Sequence, residues 1–328
     1  MKNLFIDSPN FVYLRVQWFT WQTGGLLSIG NFTPESAQVI NQITNEVRTD
    51  YPIVLDFKDI ENEMQGAFME LVQNINSQNR KVVFWNYIQL DQVINRYLTE
   101  IGLNISQKKT GNFLLLNSDG NDNLLNDLET AIVQECQNEI QRIIGRSFQL
   151  FDSKDYEFLT STPIMATGEF NAANIISIPR DFILVSLALS DKLQQVLAQK
   201  TVGLNKHRIL SVSMRGSIFA SVISVINDMD IDIVDHLGPK QMILEYDVIE
   251  NLKNNNEFDE YIYVGDFTVG GTEVKMARTF ASLNDIFLSE AIVLGSLTSP
   301  NIFATQFNLH QLCSLKNLES EAKYKLEF

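Results

Sequence analysis

Short apolar runs alternate with amphipathic stretches in the first third of this chain. The apolar runs are FVYLRVQW, LLSIGNF, IVLDF and VVFWN. The amphipathic stretches that lie between or after them are PESAQVINQITNEVR, GAFMELVQNINS and LDQVINRYLTEIG. Short apolar runs are typical of buried strands, and a helical spacing of apolar residues is typical of helices that cover a sheet. Thr33 before Pro34 predicts the first helix start, with Thr33 as its N-cap. The pattern predicts a small α/β domain with helices packed on a sheet.

The chain of 328 residues exceeds the usual size of one hydrophobic core, which predicts two domains. The polar cluster NSDGNDNLLNDLE, which begins at Asn117, is the strongest boundary signal. We therefore predict a first domain at residues 1–116, a linker with a connecting helix at 117–150, and a second domain at 151–328. In the second domain, RILSVSM, IDIVDHL, YIYV and AIVLGSL are separated by helical or polar stretches, which predicts a mainly parallel sheet.

Composition narrows the classes of function. A formal net charge of -15 argues against a broad nucleic-acid or anionic-membrane surface, because such binding needs clustered Lys and Arg. The strongest apolar run, Phe182 to Leu189, is far shorter than a membrane span. Cys136 and Cys313 form no CxxC or Cys/His group, which fits a reducing compartment. These features predict a cytoplasmic protein in which any anionic ligand needs a local site.

Two glycine turns follow apolar strands of the second domain and lead into helices. They are SMRGS at residues 213–217 and GDFTVGGT at residues 265–272. The first backbone amides of a helix have no acceptor within the helix and can bind an oxyanion or a phosphate. Ordinary strand-to-helix connections are the plain alternative. Because ligands of parallel sheets bind at the carboxyl ends of the strands, both turns are candidates for one anion site.

In this order of strands and turns, the second domain resembles the phosphoribosyltransferase family. The family signature has four apolar residues, an acidic pair, three variable residues and TGGT, and it binds the 5-phosphate of phosphoribosyl pyrophosphate. Here Tyr261 to Val264 supply the strand. The resemblance implies that Asp266 faces the ribose hydroxyls and that the phosphate loop consists of Thr268, Val269, Gly270, Gly271 and Thr272. It also implies that the pyrophosphate and its Mg²⁺ lie against the turn of Met214, Arg215, Gly216 and Ser217.

A third, weaker match precedes these turns. IMATGEFNAANIISIPR, residues 164–180, is similar to the segment that orotate phosphoribosyltransferases carry before their core. Three departures from the family pattern bear on its chemistry. Gly265 stands at the first acidic position, Val269 replaces the usual Thr, and the loop is one residue short. Phosphoribosyltransferases also carry a lysine-rich hood loop between their second and third core strands. It is poorly represented here, since the lysines of residues 238–260 are only Lys240 and Lys253.

The first domain resembles STAS domains of the anti-sigma-factor-antagonist type over residues 1 to about 105. The stretches PIVLDFKDI, GAFMELVQNINSQNRKVVFWN and LDQVINRYLTEIG carry this resemblance. The family's DSSG-like turn corresponds to Glu63, Met64, Gln65 and Gly66, which have no hydroxyl group to phosphorylate. The resemblance implies binding of a protein partner or self-association. A small α/β domain with no shared role is the alternative.

Two functions remain open from the sequence. The first is a regulatory sensor that binds phosphoribosyl pyrophosphate or a related nucleotide with Mg²⁺ and has an altered active site. The second is an active phosphoribosyltransferase that transfers ribose 5-phosphate to a nucleobase and releases pyrophosphate, with Asp266 as the catalytic residue. A scaffold without a ligand is a third, smaller possibility. Metal-ligating residues are not identified, because His207, His236 and His310 lie apart in sequence and have no partner at metal-ligand spacing.

Overall fold

The computed structural model divides the chain into two compact units, Met1–Glu139 and Ile140–Phe328. The predicted boundaries at 116 and 150 lie on either side of this division and stay a prediction. The structure describes residues 5–16, 19–21, 27–47, 51–64, 66–78, 80–100, 106–117, 125–151, 157–158, 165–166, 168–200, 207–234, 260–283, 286–297, 308–314 and 323–324. Within these ranges, no helix has the length and apolar character that crossing a membrane requires.

The described part of the first unit is an α/β structure with ten short strands. Its strands are β1 (Phe5–Asp7), β2 (Val12–Arg15), β3 (Phe19–Trp21), β4 (Leu27–Ile29), β5 (Asn31–Phe32), β6 (Ile53–Asp56), β7 (Asn62–Glu63), β8 (Val82–Trp85), β9 (Gln107–Thr110) and β10 (Phe113–Leu116). Its helices are α1 (Pro34–Glu46), α2 (Ala67–Gln78) and α3 (Asp91–Glu100), with a short 3₁₀ turn at Ile88–Leu90. A fourth helix, α4 (Leu128–Gly145), contains the division between the units.

The main sheet of the first unit has the order β1-β2-β6-β8-β10-β9. The central strands β2, β6 and β8 are parallel, as βαβ connections require, and their residues are all buried. The predicted start of α1 is confirmed, because the N–H of Ser36 donates to Thr33 Oγ1 at 3.3 Å and Pro34 is the first helical residue. The hairpin of β9 and β10 was not predicted.

The second unit contains a parallel sheet. Its strands are β11 (Phe148–Leu150), β12 (Glu157–Phe158), β13 (Met165–Ala166), β14 (Gly168–Phe170), β15 (His207–Ser211), β16 (Ile231–Ile233), β17 (Glu260–Val264), β18 (Phe267–Val269), β19 (Phe287–Leu297), β20 (Asn308–Ser314) and β21 (Lys323–Tyr324). Its helices after α4 are α5 (Ala173–Ile176), α6 (Pro179–Gln199), α7 (Met214–Asn227) and α8 (Thr272–Leu283). The 21-residue helix α6 contains the strongest apolar run of the sequence.

The strands β16, β15, β17, β19 and β20 lie side by side in that order, and every pairing among them is parallel. This confirms the predicted α/β class with a mainly parallel sheet. The chain moves outward from β15 to β16 and then returns to the other side of β15 as β17. The strand order therefore reverses between β15 and β17, and such a switch point is where open parallel sheets bind ligands. A buried cluster that includes Leu210, Tyr261, Tyr263, Val274 and Val293 packs between the sheet and α8.

Charged side chains of the second unit meet near the starts of its strands, away from the switch point. Lys200 forms an ion pair with Glu260 and lies 3.6 Å from Glu290 Oε1. His207 Nε2 lies 3.4 Å from Glu260 Oε2, and His310 Nε2 lies 2.8 Å from Glu290 Oε2. Both histidines are thus paired with carboxylates, while His236 lies outside the described residues. Burial raises the pKa of Glu260, but hydrogen bonds from Lys200 and Ser289 outweigh it and leave that pKa below its usual value.

Candidate functional site

The turn that opens α7 follows the carboxyl end of β15. Ser213 is the N-cap residue, and its Oγ accepts the N–H of Gly216 at 3.0 Å. The hydroxyl of Ser217 donates to the Ser213 carbonyl oxygen at 2.6 Å, which is a contact internal to the helix. Met214 and Arg215 are exposed, whereas Gly216 and Ser217 are buried. Of the four residues predicted here, Met214 and Arg215 therefore face solvent at the beginning of the helix.

The turn that opens α8 follows the carboxyl end of β17. After Gly265 and Asp266 the chain continues as β18, which pairs with β19 on the same side as β17. Gly270 and Gly271 have φ values of +63° and +69°, and this left-handed conformation favours glycine. Thr272 is the first residue of α8. Lys275 Nζ donates to the Gly270 carbonyl oxygen at 3.2 Å, so a cation that was not predicted lies at this loop.

The two turns are in direct contact. A Cβ atom on Gly216 would lie 3.0 Å from Gly265 Cα and 3.3 Å from the Asp266 nitrogen. Carbon atoms pack at about 3.5–4.0 Å, so only a glycine at position 216 allows this approach. The strand order brings the turns together because β15 and β17 are hydrogen-bonded neighbours that run in the same direction. The predicted adjacency of the two loops is present.

Tyr263 fills the space beside Gly265. A Cβ atom on Gly265 would lie 2.7 Å from Tyr263 Cε1 and 2.8 Å from Cζ, which is inside van der Waals contact. The ring is 1% exposed, and its hydroxyl donates to Glu273 Oε2 at 3.3 Å. Burial and the nearby carboxylates of Glu273 and Asp266 raise the pKa of Tyr263, so the phenol stays protonated. The absence of a side chain at position 265 therefore has a packing reason.

Two carboxyl groups lie at the meeting of the turns. Burial raises the pKa of Asp266, and the Phe267 N–H and Arg215 oppose that shift. Burial and then the charge of Asp266 raise the pKa of Glu273 to about 7. The Glu273 carboxyl accepts hydrogen bonds from Tyr263 and Ser213. Glu273 was not predicted as a site residue, although an acidic residue in the first turn of a helix is visible in the sequence.

The loop that precedes α8 packs against aromatic residues in the interior. Phe267 stacks on Phe170 with ring centroids 4.7 Å apart and meets Phe148 edge-on at 5.0 Å. Phe170 belongs to the segment 164–180, so this segment packs against the loop. Thr268 is 2% exposed, and its Oγ1 has no hydrogen-bond partner among the described residues. In this geometry the Thr268 side chain faces the interior, whereas Val269 and Gly270 are only partly buried.

The remaining predicted positions either fall outside the described residues or belong to the first unit. Lys240 and Lys253 lie outside the described residues. In the first unit, the turn of Glu63 to Gly66, which was predicted to correspond to a STAS switch turn, is described except for Gln65. Glu63 Oε1 there accepts the N–H of Phe68 at 3.0 Å, and Glu63 Oε2 accepts the hydroxyl of Tyr97 at 3.2 Å. A carboxylate thus caps the start of α2, where the charge is favoured by the helix dipole.

The carboxyl edge of the first unit's sheet also holds polar residues. Asp56 is buried, and it accepts the hydroxyl of Tyr13 at 2.7 Å, the Asn86 amide at 2.8 Å and the Lys58 N–H at 3.0 Å. Arg15 and Asp59 form two parallel hydrogen bonds of 2.7 and 2.9 Å. Because these contacts connect the ends of three strands, β2, β6 and β8, we interpret them as interactions that stabilise the fold.

Comparison with known proteins gives matches among solved structures only. A scan of family models and a search of curated proteins gave no match. Adenine phosphoribosyltransferase from Saccharomyces cerevisiae aligns with 13% identity and a TM-score of 0.37, over 54% of this chain and 99% of that one. Orotate phosphoribosyltransferase from Aeropyrum pernix aligns with 12% identity and a TM-score of 0.40, over 55% of this chain and 93% of that one. Because these TM-scores lie below 0.5, the function has to be inferred from the chain's own strand order and contacts.

Proposed function

We propose that the second unit binds phosphoribosyl pyrophosphate or a related nucleotide where its two glycine turns meet, and that it acts as a sensor or effector. The observation that carries this proposal is the contact between the turns at the switch point of the sheet. A Cβ on Gly216 would lie only 3.0 Å from Gly265 Cα, and Ser213 at the N-cap of α7 hydrogen-bonds Glu273 in the first turn of α8, so the amino ends of the two helices converge. Convergent helix ends favour a ligand with two separated anionic groups.

Each turn has a separate role in this proposal. The main-chain N–H groups of Val269 to Thr272 bind the 5-phosphate, and the turn of Met214, Arg215, Gly216 and Ser217 receives the diphosphate. Asp266 accepts hydrogen bonds from the sugar hydroxyls. Micromolar affinity requires about 8 kcal/mol, and hydrogen bonds to charged groups supply about 1.5–3 kcal/mol each. Several such bonds from both turns must therefore act together.

Magnesium would arrive with the ligand. The described residues contain no group of three or more His, Cys, Asp or Glu side chains that could hold a metal ion. Mg²⁺ commonly binds through substrate phosphates and keeps several water molecules. We therefore propose that Mg²⁺ would be held by oxygens of the diphosphate and by water. When bound, it would neutralise charge that this acidic chain otherwise repels.

Packing at Gly265 favours a sensor over an enzyme. Tyr263 occupies the space where the family's first acidic side chain would begin, so one of two expected carboxylates is missing from the strand end. The alternative is an active transferase. In that reaction a nucleobase nitrogen would form a bond to the anomeric carbon while the bond from that carbon to pyrophosphate breaks. Asp266 would hold the sugar during this displacement.

The replacement Asp266→Asn tests this proposal. We expect wild-type protein to be stabilised thermally by phosphoribosyl pyrophosphate with Mg²⁺, because a ligand that binds only the folded state raises Tm. Asn donates as well as accepts and has no charge, so the variant should bind about tenfold more weakly, as one lost charge-assisted hydrogen bond implies. The exposed Asp228→Asn, at the far end of α7, is the matched control and should bind like wild type.

A parallel assay separates the two functions. The protein is incubated with phosphoribosyl pyrophosphate, Mg²⁺ and a panel of nucleobases, and released pyrophosphate is measured. Stabilisation without release supports a sensor, and release that disappears in Asp266→Asn supports the transferase. If neither stabilisation nor release occurs with wild-type protein, the proposed ligand is wrong.

For the first unit we propose a role in binding a protein partner or a second copy of the chain. Its support is the STAS-like succession of strands and helices, with Glu63 capping α2 at the position of the family's switch turn. Light scattering of the full chain during gel filtration tests self-association. A mass that stays that of one chain at all concentrations, together with no partner recovered after cross-linking in cells, would contradict this role.

A further inference from the structure

Glu273 links the two turns through a chain of hydrogen bonds. Its carboxyl group accepts the hydroxyl of Ser213, and Ser213 Oγ in turn accepts the N–H of Gly216. On its other side, Glu273 Oε2 accepts the hydroxyl of Tyr263 from β17 at 3.3 Å. The first turn of α8 is therefore connected both to the N-cap of α7 and to the strand between them.

The surroundings of Glu273 make its charge sensitive to a ligand. Asp266 faces it from the bend after β17, and Arg215 faces it from α7. On α8 itself, Lys275 is directed to the Gly270 carbonyl oxygen. Two partly enclosed carboxyl groups near one arginine are costly to ionise together, since like charges oppose each other at low dielectric. A phosphate at the same turns would add further negative charge.

We propose that Glu273 is a positioning residue that joins the α7 turn to the α8 turn and takes up a proton when an anionic sugar phosphate binds without a divalent cation. This inference rests on the proposed function, because it requires an anion at these turns. Ionised Glu273 opposes the anion, whereas protonated Glu273 still accepts hydrogen bonds from Ser213 and Tyr263. The pKa of Glu273, raised to about 7, lets this exchange occur near neutral pH.

Binding of ribose 5-phosphate in the presence of EDTA tests the proton linkage. The ratio of Glu273→Gln to wild-type affinity is measured from pH 6 to pH 8.5, so that titration of the ligand cancels. The ratio should be near one at pH 6 and should rise to about ten at pH 8.5, because one unit of pKa shift corresponds to a factor of ten. Asp228→Asn should give a constant ratio near one. A constant ratio for Glu273→Gln would overturn the linkage and leave the proposed function intact.

Proton uptake by wild-type protein gives a test that needs no variant. Calorimetry at pH 8 in two buffers of different ionisation enthalpy counts the protons exchanged on binding. The sugar phosphate is fully ionised at this pH, because phosphate esters have a second pKa of about 6. We expect a substantial fraction of one proton to be taken up. Binding with no uptake, or no binding of the sugar phosphate at any pH, contradicts the inference, and the proposed function is contradicted only if phosphoribosyl pyrophosphate with Mg²⁺ also fails to stabilise the protein.

The stability of the variant should depend on pH in a defined direction. A carboxyl with a folded-state pKa of about 7 and an ordinary value of 4.5 binds its proton in the folded chain when the unfolded chain has lost it. Wild-type stability should therefore fall as pH rises from 4.5 to 7 and stay lower above that. Glu273→Gln should have the higher Tm at pH 8, by about 7–14 °C, and a similar Tm at pH 5. A variant that is less stable at pH 8 would contradict the buried charge.

Discussion

Gly216→Ala is expected to abolish measurable binding of phosphoribosyl pyrophosphate. The new Cβ would lie 3.0 Å from Gly265 Cα and 3.3 Å from the Asp266 nitrogen, so main chain must move away from main chain. Separation of the turns removes at least two charge-assisted hydrogen bonds, which corresponds to about 3–6 kcal/mol and more than about 100-fold in affinity. Overpacking should also destabilise the fold by about 2–3 kcal/mol.

Thermal shift with ligand, together with urea unfolding without ligand, measures both effects of Gly216→Ala. Val225→Ala is the matched control, because Val225 is exposed on the same helix and 64% accessible. The control should keep wild-type affinity and stability. If Gly216→Ala binds within threefold of wild type, the two turns do not form one site in solution.

Gly265→Asp is expected to destabilise the second unit instead of restoring a family-like acidic pair. Its Cβ would lie 2.7 Å from Tyr263 Cε1, and this ring is locked in the core between the sheet and α8. An added side chain against a buried aromatic ring costs about 2–3 kcal/mol by overpacking, and a second charge beside Asp266 adds to that. Urea unfolding at pH 7 gives the free-energy change.

Gly265→Ala with Tyr263→Leu distinguishes the clash from the added charge. Leucine lacks the ring atoms that the new Cβ would meet, so the double variant should be less destabilised than the sum of the two single variants by about 1–2 kcal/mol. Purely additive effects would show that Tyr263 does not exclude a side chain at position 265. A second double variant, Gly265→Asp with Tyr263→Leu, then tests whether the missing carboxylate limits catalysis, because its rate of pyrophosphate release can be compared with that of wild type.

The ring of Tyr263, which fills the space beside Gly265, supports the proposed role in recognition more than a role in turnover. Asp266 keeps its position beside Gly216, and the loop from Val269 to Thr272 keeps its glycine geometry. These groups would bind the substrate and the transition state equally well, and such uniform binding does not accelerate the chemical step. Catalysis would need further groups that respond to charge developing during the reaction. Glu273 responds to charge by changing its protonation, which suits a sensor of an anionic ligand.

Local sequence signals identified the parts of the fold that depend on near neighbours. Thr33 and Pro34 specify the start of α1 through one side-chain hydrogen bond and one fixed φ angle, and both are visible within a few residues. The apolar runs at His207–Ser211 and Glu260–Val264 specify buried strands, and the glycines after them specify turns. From these, the parallel sheet and the meeting of its two turns could be predicted, because parallel neighbours end at the same edge.

The hairpin of β9 and β10 and the pairing of both histidines with Glu260 and Glu290 were not predicted. The two His–Glu pairs depend on partners that lie 20 or more residues away, and the hairpin depends on strands whose local sequence patterns are weak. The packing of Phe267 on Phe148 and Phe170 likewise joins segments separated by about 100 positions. No local periodicity indicates which aromatic residues will meet.

By itself, the sequence determined short buried strands that alternate with helices, a glycine turn at Gly270 and Gly271, and Asp266 beside it, since each follows from chain chemistry over a few residues. Only the tertiary structure decided that Tyr263 takes the space at Gly265, that Thr268 turns inward and that Glu273 joins the two turns. The space beside a residue and the effective dielectric around a carboxylate depend on neighbouring atoms from α7, β17 and α8. Only folding brings those atoms together.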